Sequence, residues 1–477
     1  MNHLLPLGIL LILLSGCASA RRFAGDPPAR YPLPVERMAP LIEGKWLMTI
    51  HAADLGSVRT VMDVQVASDG AIEAHSRPGA LADLVGGWKS FWARLLSSGY
   101  EHGAFLHLYG YAVEGGADSL LVRGSMISPI ANLPMELLLR DGTWKGRLGA
   151  WGMFEARRFT GELPLRAYRS VAGEIMRVTG EHIFNPSIMG EEAWKSFRID
   201  LQAAMESARD DVDALFAFSR LAGRLNVSHF NLTRAFDPAP AVGLPVAATG
   251  EAGGGIDLTF PAAGIAVMRI PNFSGGIAPI DSAFRLVDER SIRSLIIDLR
   301  DNPGGDFSSM RVAAHLIGEP VMAGALIARE WWRDHDALPT GGYDTLPTIS
   351  GYDSESILRT LHAGGIIVGR VAPVAPRFTG RLFVLINSGT ASAAEPLAAL
   401  LQEMHRGTLI GERTRGYMLS SETYGLADGW SLRIPTADYY TAGGRRLENA
   451  GVIPDVPIGS AVALDEALRA IRPAQAR

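Results

Sequence analysis

The sequence predicts a multidomain α+β protein: an N-terminal antiparallel β domain (sandwich or barrel), a helical segment, and a C-terminal α/β core. Three patterns lead to that expectation. Apolar residues alternate with period two over residues 41–164, and they recur at helical spacing over 168–225. From residue 257 onward they form short apolar runs separated by helical stretches. At 477 residues the chain is too long for one ordinary core, so several domains are expected.

Composition bounds the function classes. The chain is 47% hydrophobic and 20% charged, with a formal net charge of −5, which suits a globular protein and offers no basic footprint for nucleic acid. Residues 7–14 are an apolar run too short to span a bilayer as a helix, placed as the core of a signal peptide. The run ends in Leu14-Ser-Gly-Cys17, which resembles the bacterial lipobox. That resemblance implies cleavage before Cys17 and lipid modification of it. With Ala18 following, it implies an anchor in the outer membrane, facing the periplasm. Cys17 is the only cysteine, so no internal disulfide or multi-cysteine metal site is possible. Residues 1–17 are thus read as a signal peptide and 18–40, rich in Pro, Arg and Ala, as a tether.

The β domain occupies residues 41–164. Met62, Val64 and Val66 alternate with Asp63 and Gln65, and Met135, Leu137 and Leu139 lead into Asp141-Gly142, a hairpin turn signature. Trp88, Trp92 and Leu95 suggest one helical interruption. His51, His75, His102 and His107 lack metal-ligand spacing and read as ordinary strand or loop residues. In the helical segment, 165–234, Tyr168, Val171, Ile175 and Val178 share one face, and Trp194, Phe197, Leu201 and Met205 another. Residues 235–256 turn to Pro, Ala and Gly and read as a linker. In the core, 257–477, strands are expected at 265–270, 294–298 and 382–387, with helices at 279–290, 310–317, after Ser392, and at 461–471. Residues 330–376, aromatic and Gly-rich, are expected to form a lid or wall.

The chemistry centres on Gly389-Thr-Ala-Ser-Ala-Ala-Glu395, where an apolar run breaks at a glycine and passes into a helix. A hydroxyl there sits beside N–H groups that lack intrahelical partners, a setting for a nucleophile and its oxyanion. Ser392 and Glu395 equally spell a capping box, in which the serine only satisfies backbone donors.

Companion motifs separate these readings. Ser294-Leu-Ile-Ile-Asp-Leu-Arg-Asp-Asn-Pro-Gly-Gly305 closely resembles the strand-and-turn signature of the tail-specific, or carboxyl-terminal processing, serine peptidases. The Ser392 segment, Gly411-Glu-Arg-Thr-Arg-Gly416, and Glu448-Asn-Ala-Gly-Val-Ile-Pro-Asp455 match further blocks of that family in order. The resemblance implies a crotonase-like peptidase core, a peptide or protein substrate, and no metal or organic cofactor. It also implies an oxyanion hole from Ala393 and either Gly304 or Gly305. Only some thirty residues separate His229 from the core, too few for the PDZ domain that many relatives carry there.

One departure shapes the mechanism. Many members use a lysine base after the nucleophile; here Tyr417 stands at that position. Arg415 cannot replace it, because a guanidinium keeps its proton. Leu225-Asn-Val-Ser-His-Phe-Asn231 resembles the Ser-His motif of the branch with the tricorn core protease and the nisin-resistance protein, although Val227 replaces that motif's usual Asp. That resemblance implies His229 as base, Glu448 as the orienting carboxylate and Ser228 as an auxiliary hydroxyl. Asp298 and Arg300 read as a local ion pair. Three functions follow: an envelope serine peptidase using Ser392 and His229, an inactive lipoprotein that binds peptides or partners on the same scaffold, or a β domain that holds a lipid or small apolar ligand with the peptidase core secondary.

Overall fold

A computed structural model describes residues 32–52, 56–76, 106–116, 119–127, 132–149, 152–161, 168–234, 255–339, 343–349 and 351–471. Cys17 and the signal and tether segments up to residue 31, the Trp88–Trp92 interruption and most of the 235–256 linker lie outside them.

The N-terminal alternation resolves into a closed eight-stranded antiparallel barrel, which decides between sandwich and barrel. Its strands are β1 (Gly44–Ala52), β2 (Gly56–Val66), β3 (Ala71–His75), β4 (His107–Gly115), β5 (Ser119–Ile127), β6 (Asn132–Arg140), β7 (Thr143–Leu148) and β8 (Gly152–Arg158). The β6–β7 hairpin turns at Asp141 and Gly142, both with positive φ (51° and 69°), as a type I′ turn requires. Trp46, Met48, Met62, Leu137 and Phe154 fill the interior. Helix α1 (Val35–Ile42) adds Met38 and Ile42 to it, and Ile42 O accepts from Trp46 Nε1 at 2.7 Å.

Three helices follow: α2 (Tyr168–His182), α3 (Glu192–Ser207) and α4 (Asp211–Ala222). Both apolar stripes expected from the sequence are buried. This segment has no core of its own, however. Its side chains share one continuous interior with the barrel and with Trp430, Leu432 and Ile434 of the C-terminal core. Strand β9 (Asn231–Arg234) also pairs antiparallel with β19 (Trp430–Tyr440), which ties the helices into the core sheet.

The C-terminal core holds two sheets. The first runs β10 (Asp257–Ala262), β11 (Ile265–Arg269), β12 (Ser294–Asp298), β16 (Arg381–Ile386), β17 (Thr408–Gly411) and β20 (Val456–Pro457). All neighbours from β11 to β20 are parallel. Helices α5 (Ala278–Glu289), α6 (Ser309–Ala314), α8 (Ala394–Glu403) and α9 (Ala463–Ile471) accompany it. The second sheet is β14 (Thr348–Ile349), β15 (Ile366–Val371), β13 (Val321–Ala328), β19 and β18 (Ser420–Gly425). Residues 330–376 supply β14, β15 and helix α7 (Ser354–Gly364), so most of that segment is folded wall. Because β11, β12, β16 and β17 run parallel, their carboxyl-terminal turns emerge at one edge, where open α/β sheets bind ligands.

Candidate active site

Two turns at that edge interlock. After β12, Asn302 is fully buried, and its Oδ1 accepts from Gly304 N at 2.8 Å while its Nδ2 donates to Ile270 O. The backbone carbonyl of Asn302 accepts from Ala391 N at 2.9 Å, which joins this turn to the Ser392 turn after β16. Asp298 and Arg300 form the expected ion pair, at 2.6 Å.

Gly304 has φ +99°, and a Cβ there would stand 2.5 Å from Ser392 Cβ. Gly305 has φ +143°, and a Cβ there would stand 2.2 Å from Phe273 O. Both positions therefore require glycine for backbone conformation and for close approach.

Ser392 itself has φ +51°, a left-handed conformation uncommon for a side chain of its kind. It precedes α8, and its hydroxyl makes no hydrogen bond among the described residues. Only half of a capping box forms: Glu395 Oε2 accepts from Ser392 N at 3.1 Å, but no side chain caps the helix. Glu395 is fully buried and also accepts from Thr414 Oγ1 (2.6 Å), Gly416 N (2.7 Å) and Tyr417 N (3.0 Å). Burial pushes its carboxyl above the ordinary range, and these four donors oppose the rise. Glu395 thereby locks the 414–417 loop to the Ser392 turn, and Ser392 N also donates to Tyr417 O at 3.1 Å.

Ala393 N–H and Gly305 N–H have no acceptor among the described residues, whereas Gly304 N–H is committed to Asn302. Of the two expected glycine donors, Gly305 is the one left available.

His229 arrives from the helical segment. Its neighbour Phe230 is buried against Trp194, Phe197 and Phe218, with ring centroids 5.5, 5.7 and 5.1 Å away. His229 has φ +59°, a second strained residue at the site. Its Nδ1 lies 2.8 Å from Ser228 Oγ, and Ser228 Oγ donates to Glu448 Oε2 at 3.0 Å. Since that hydroxyl proton goes to the carboxylate, Ser228 Oγ accepts from Nδ1–H, and Nε2 keeps its lone pair. Glu448 therefore orients the ring through Ser228, with no direct contact to His229. Glu448 is buried, with Ser228 N (2.7 Å) and Met418 N (2.8 Å) also donating to it. Burial raises its pKa, and those hydrogen bonds oppose the rise.

Ser392, Ala393, Gly305 and His229 line one cavity of about 230 Å³. Ser392 Oγ and His229 are not hydrogen-bonded to each other; such contacts commonly tighten only when substrate is bound. Burial, then Arg433, then Arg415, lowers the His229 pKa to about 4. Tyr417 points partly to solvent, with Arg415 over its ring at 4.4 Å and the His229 ring 6.4 Å away. It contributes to the site through its backbone.

Residues 264–458 match the description of peptidase family S41. The matched segment is under half of the chain. Within the S41 segment fall the Gly304–Gly305 turn, Ser392, Glu395 and Glu448, while His229, Ser228 and the barrel lie before it. A carboxyl-terminal-processing protease of Synechocystis sp. is 29% identical over 201 residues, 42% of this chain and 39% of the relative. A chloroplastic C-terminal processing peptidase of Tetradesmus obliquus is 30% identical over 193 residues, 40% of this chain and 34% of the relative. The chain thus spans well under half the length of either relative. Among solved structures, a lipoprotein from Streptococcus agalactiae is similar at a TM-score of 0.43, with 15% identity over 66% of this chain and 99% of that one.

Asn302, Glu395 and Thr414 are the site residues that sequence reasoning missed as organisers. The Ser-x-x-Glu spacing carried a signal for Glu395, but it pointed to helix capping.

Proposed function

We propose that this chain is a lipid-anchored serine peptidase of the cell envelope that cleaves peptide bonds through an acyl-enzyme on Ser392. The observation that carries the reading is a hydroxyl on a strained turn with no hydrogen-bond partner among the described residues, beside two backbone N–H groups that also lack acceptors among them. It shares its cavity with an imidazole whose Nδ1 is committed to Ser228 and, through Ser228, linked to Glu448.

In this reading, Ser392 Oγ attacks the scissile carbonyl carbon and its proton passes to His229 Nε2. The carbonyl oxygen becomes an oxyanion held by the Ala393 and Gly305 N–H groups. His229 then gives the proton to the leaving amine as the C–N bond breaks. Water, deprotonated by the same nitrogen, attacks the ester and releases the carboxylate product. Ser228 and Glu448 keep the imidazole in the tautomer that leaves Nε2 free. Phe307, Met310, Leu358, Pro396 and Met418 line the cavity, which supports an apolar substrate side chain beside Ser392.

Envelope anchoring rests on the Leu14-Ser-Gly-Cys17 signal. It predicts that the wild-type protein partitions with membranes and that Cys17→Ser abolishes this.

Activity is tested by a fluorophosphonate probe on the purified protein. Ser392 should be modified, and Ser392→Ala and His229→Ala should each abolish modification. A folded wild-type protein that takes no label would instead favour a peptide-binding scaffold, the reading motivated by Tyr417 in the lysine's place. Label retained by Ser392→Ala would remove the site assignment.

A further inference from the structure

The outer face of the barrel carries a second cluster of chemically capable side chains. The sequence spacing of its histidines suggests no metal site, but the strand register brings two of them together. Antiparallel β3 and β4 set His75 directly opposite His107. Glu73, two residues before His75, shares its face, while Ile72 and Ala74 point into the barrel core. The two imidazoles stack with centroids 4.3 Å apart and planes 20° from parallel. A Glu73 carboxylate oxygen lies 3.6 Å from His75 Nε2. One ligand atom from each of the three residues falls within 4.8 Å of the other two.

We propose that Glu73, His75 and His107 form a site for a zinc-type divalent cation on the barrel's outer face. Two imidazoles and one carboxylate are a donor set for Zn²⁺ and similar borderline ions, whereas Mg²⁺ and Ca²⁺ favour oxygen shells. Around tetrahedral zinc, bonds of about 2.0–2.1 Å put ligand atoms roughly 3.4 Å apart, so closure needs movements of about 1 Å. Side-chain torsions can supply these while the backbone stays fixed, because β3 is paired on both sides within a closed barrel.

The surroundings favour a defined geometry. Tyr109, the register partner of Glu73, is buried edge-on to His107 at 6.4 Å, and its hydroxyl meets that of Tyr111 at 2.7 Å. All three ligand residues are half-buried. The ion would bridge β3 and β4 at their last pair, next to the Ser76 N to Leu106 O hydrogen bond of 2.9 Å. It would act as a clamp on that strand end. Neither the Ser392 chemistry nor its test depends on it.

The test is calorimetric titration of the tag-free full chain, stripped with EDTA, with ZnCl2. One zinc per chain should bind at micromolar affinity or tighter, and saturating zinc should raise the melting temperature. His75→Asn, His107→Asn and Glu73→Gln should each weaken binding beyond the roughly 10–100-fold typical of losing an outer-shell partner. They should also remove the thermal shift. Should His107→Asn fail to fold, the substitutions of the half-exposed His75 and Glu73 carry the test. No zinc uptake by the wild type, or unchanged affinity in folded variants, would overturn the proposal.

Discussion

Replacing Gly304 with alanine would place a methyl group in the tightest contact of the proposed site. The new Cβ would lie 2.5 Å from Ser392 Cβ, 2.8 Å from Ala393 N and 2.9 Å from Ala391 O. Carbon atoms in contact prefer about 3.5–4.0 Å, so the Ser392 turn must retreat by about 1 Å. It cannot do so freely, because Ser392 N is held by Tyr417 O and Glu395, and Ala391 N by Asn302 O. Overpacking of this kind costs about 1–3 kcal/mol, and a non-glycine residue at φ +99° adds a backbone cost of similar order. Together they destabilise the fold by roughly 2–6 kcal/mol and lower the melting temperature by at least several degrees. A nucleophile displaced by 1 Å from its oxyanion donors loses on the order of 100-fold in rate. Melting curves and the second-order rate of fluorophosphonate labelling, measured well below the melting temperature, report the two effects separately. Wild-type values for both in Gly304→Ala would refute the packing argument and, with it, the placement of Ser392 against the Gly304–Gly305 turn.

Four further outcomes follow from the same geometry. With its pKa lowered to about 4, His229 should remain a neutral base in mild acid, so the acid limb of the labelling rate should lie near pH 4 and not near 6.5. The linked stability has a defined sign. The unfolded chain protonates its imidazole near 6.5 while the folded one resists until about 4, so this stability is complete above 6.5 and is lost as pH falls between those values, by up to roughly 3 kcal/mol. Denaturant melts at pH 7 and 4.5 should show a smaller loss in His229→Gln than in the wild type; equal losses would contradict the burial argument. Ser228→Ala removes the link between His229 Nδ1 and Glu448 and should slow labelling by about 100-fold or more while Ser392 stays the labelled residue. An undiminished rate would show that the ring needs no such support. Glu395→Ala strands three donors, Thr414 Oγ1, Gly416 N and Tyr417 N, around a fully buried position, which at about 1–3 kcal/mol for a buried group left unpaired should cost several kcal/mol in chemical denaturation. A loss below 1 kcal/mol would mean that water replaces the carboxylate without penalty.

Much of this fold was legible because burial has a period. The stripes on α2 and α3, the alternation in β2 and β6, and the Asp141-Gly142 turn each appear in structure where local chemistry puts them. Ser392 and its companion motifs were legible for a different reason: strand, glycine turn and helix succeed one another within a short stretch, and the stereochemistry of that succession is local. What local chemistry could not show was which distant segments share a core. The helical segment reads as a separate block because its stripes are self-consistent, yet it packs on the barrel and on β19. The choice between Gly304 and Gly305 as oxyanion donor depends on which N–H Asn302 occupies, a matter of side-chain rotamer that no spacing encodes.

The sequence by itself determined the element types, the Ser392 turn, the Ser228-His229 pair and the carboxylates available to them, because these depend on neighbours within a few residues. Tertiary structure alone decided that β11, β12, β16 and β17 end at a common edge, that Phe230 anchors His229 beside the Ser392 cavity, and that His75 faces His107. These are consequences of strand register and shared burial, which join residues far apart in the chain, as Ser228 and Glu448 are at 220 positions. The free energy that holds such pairs together belongs to the whole packed interior and is written in no single segment.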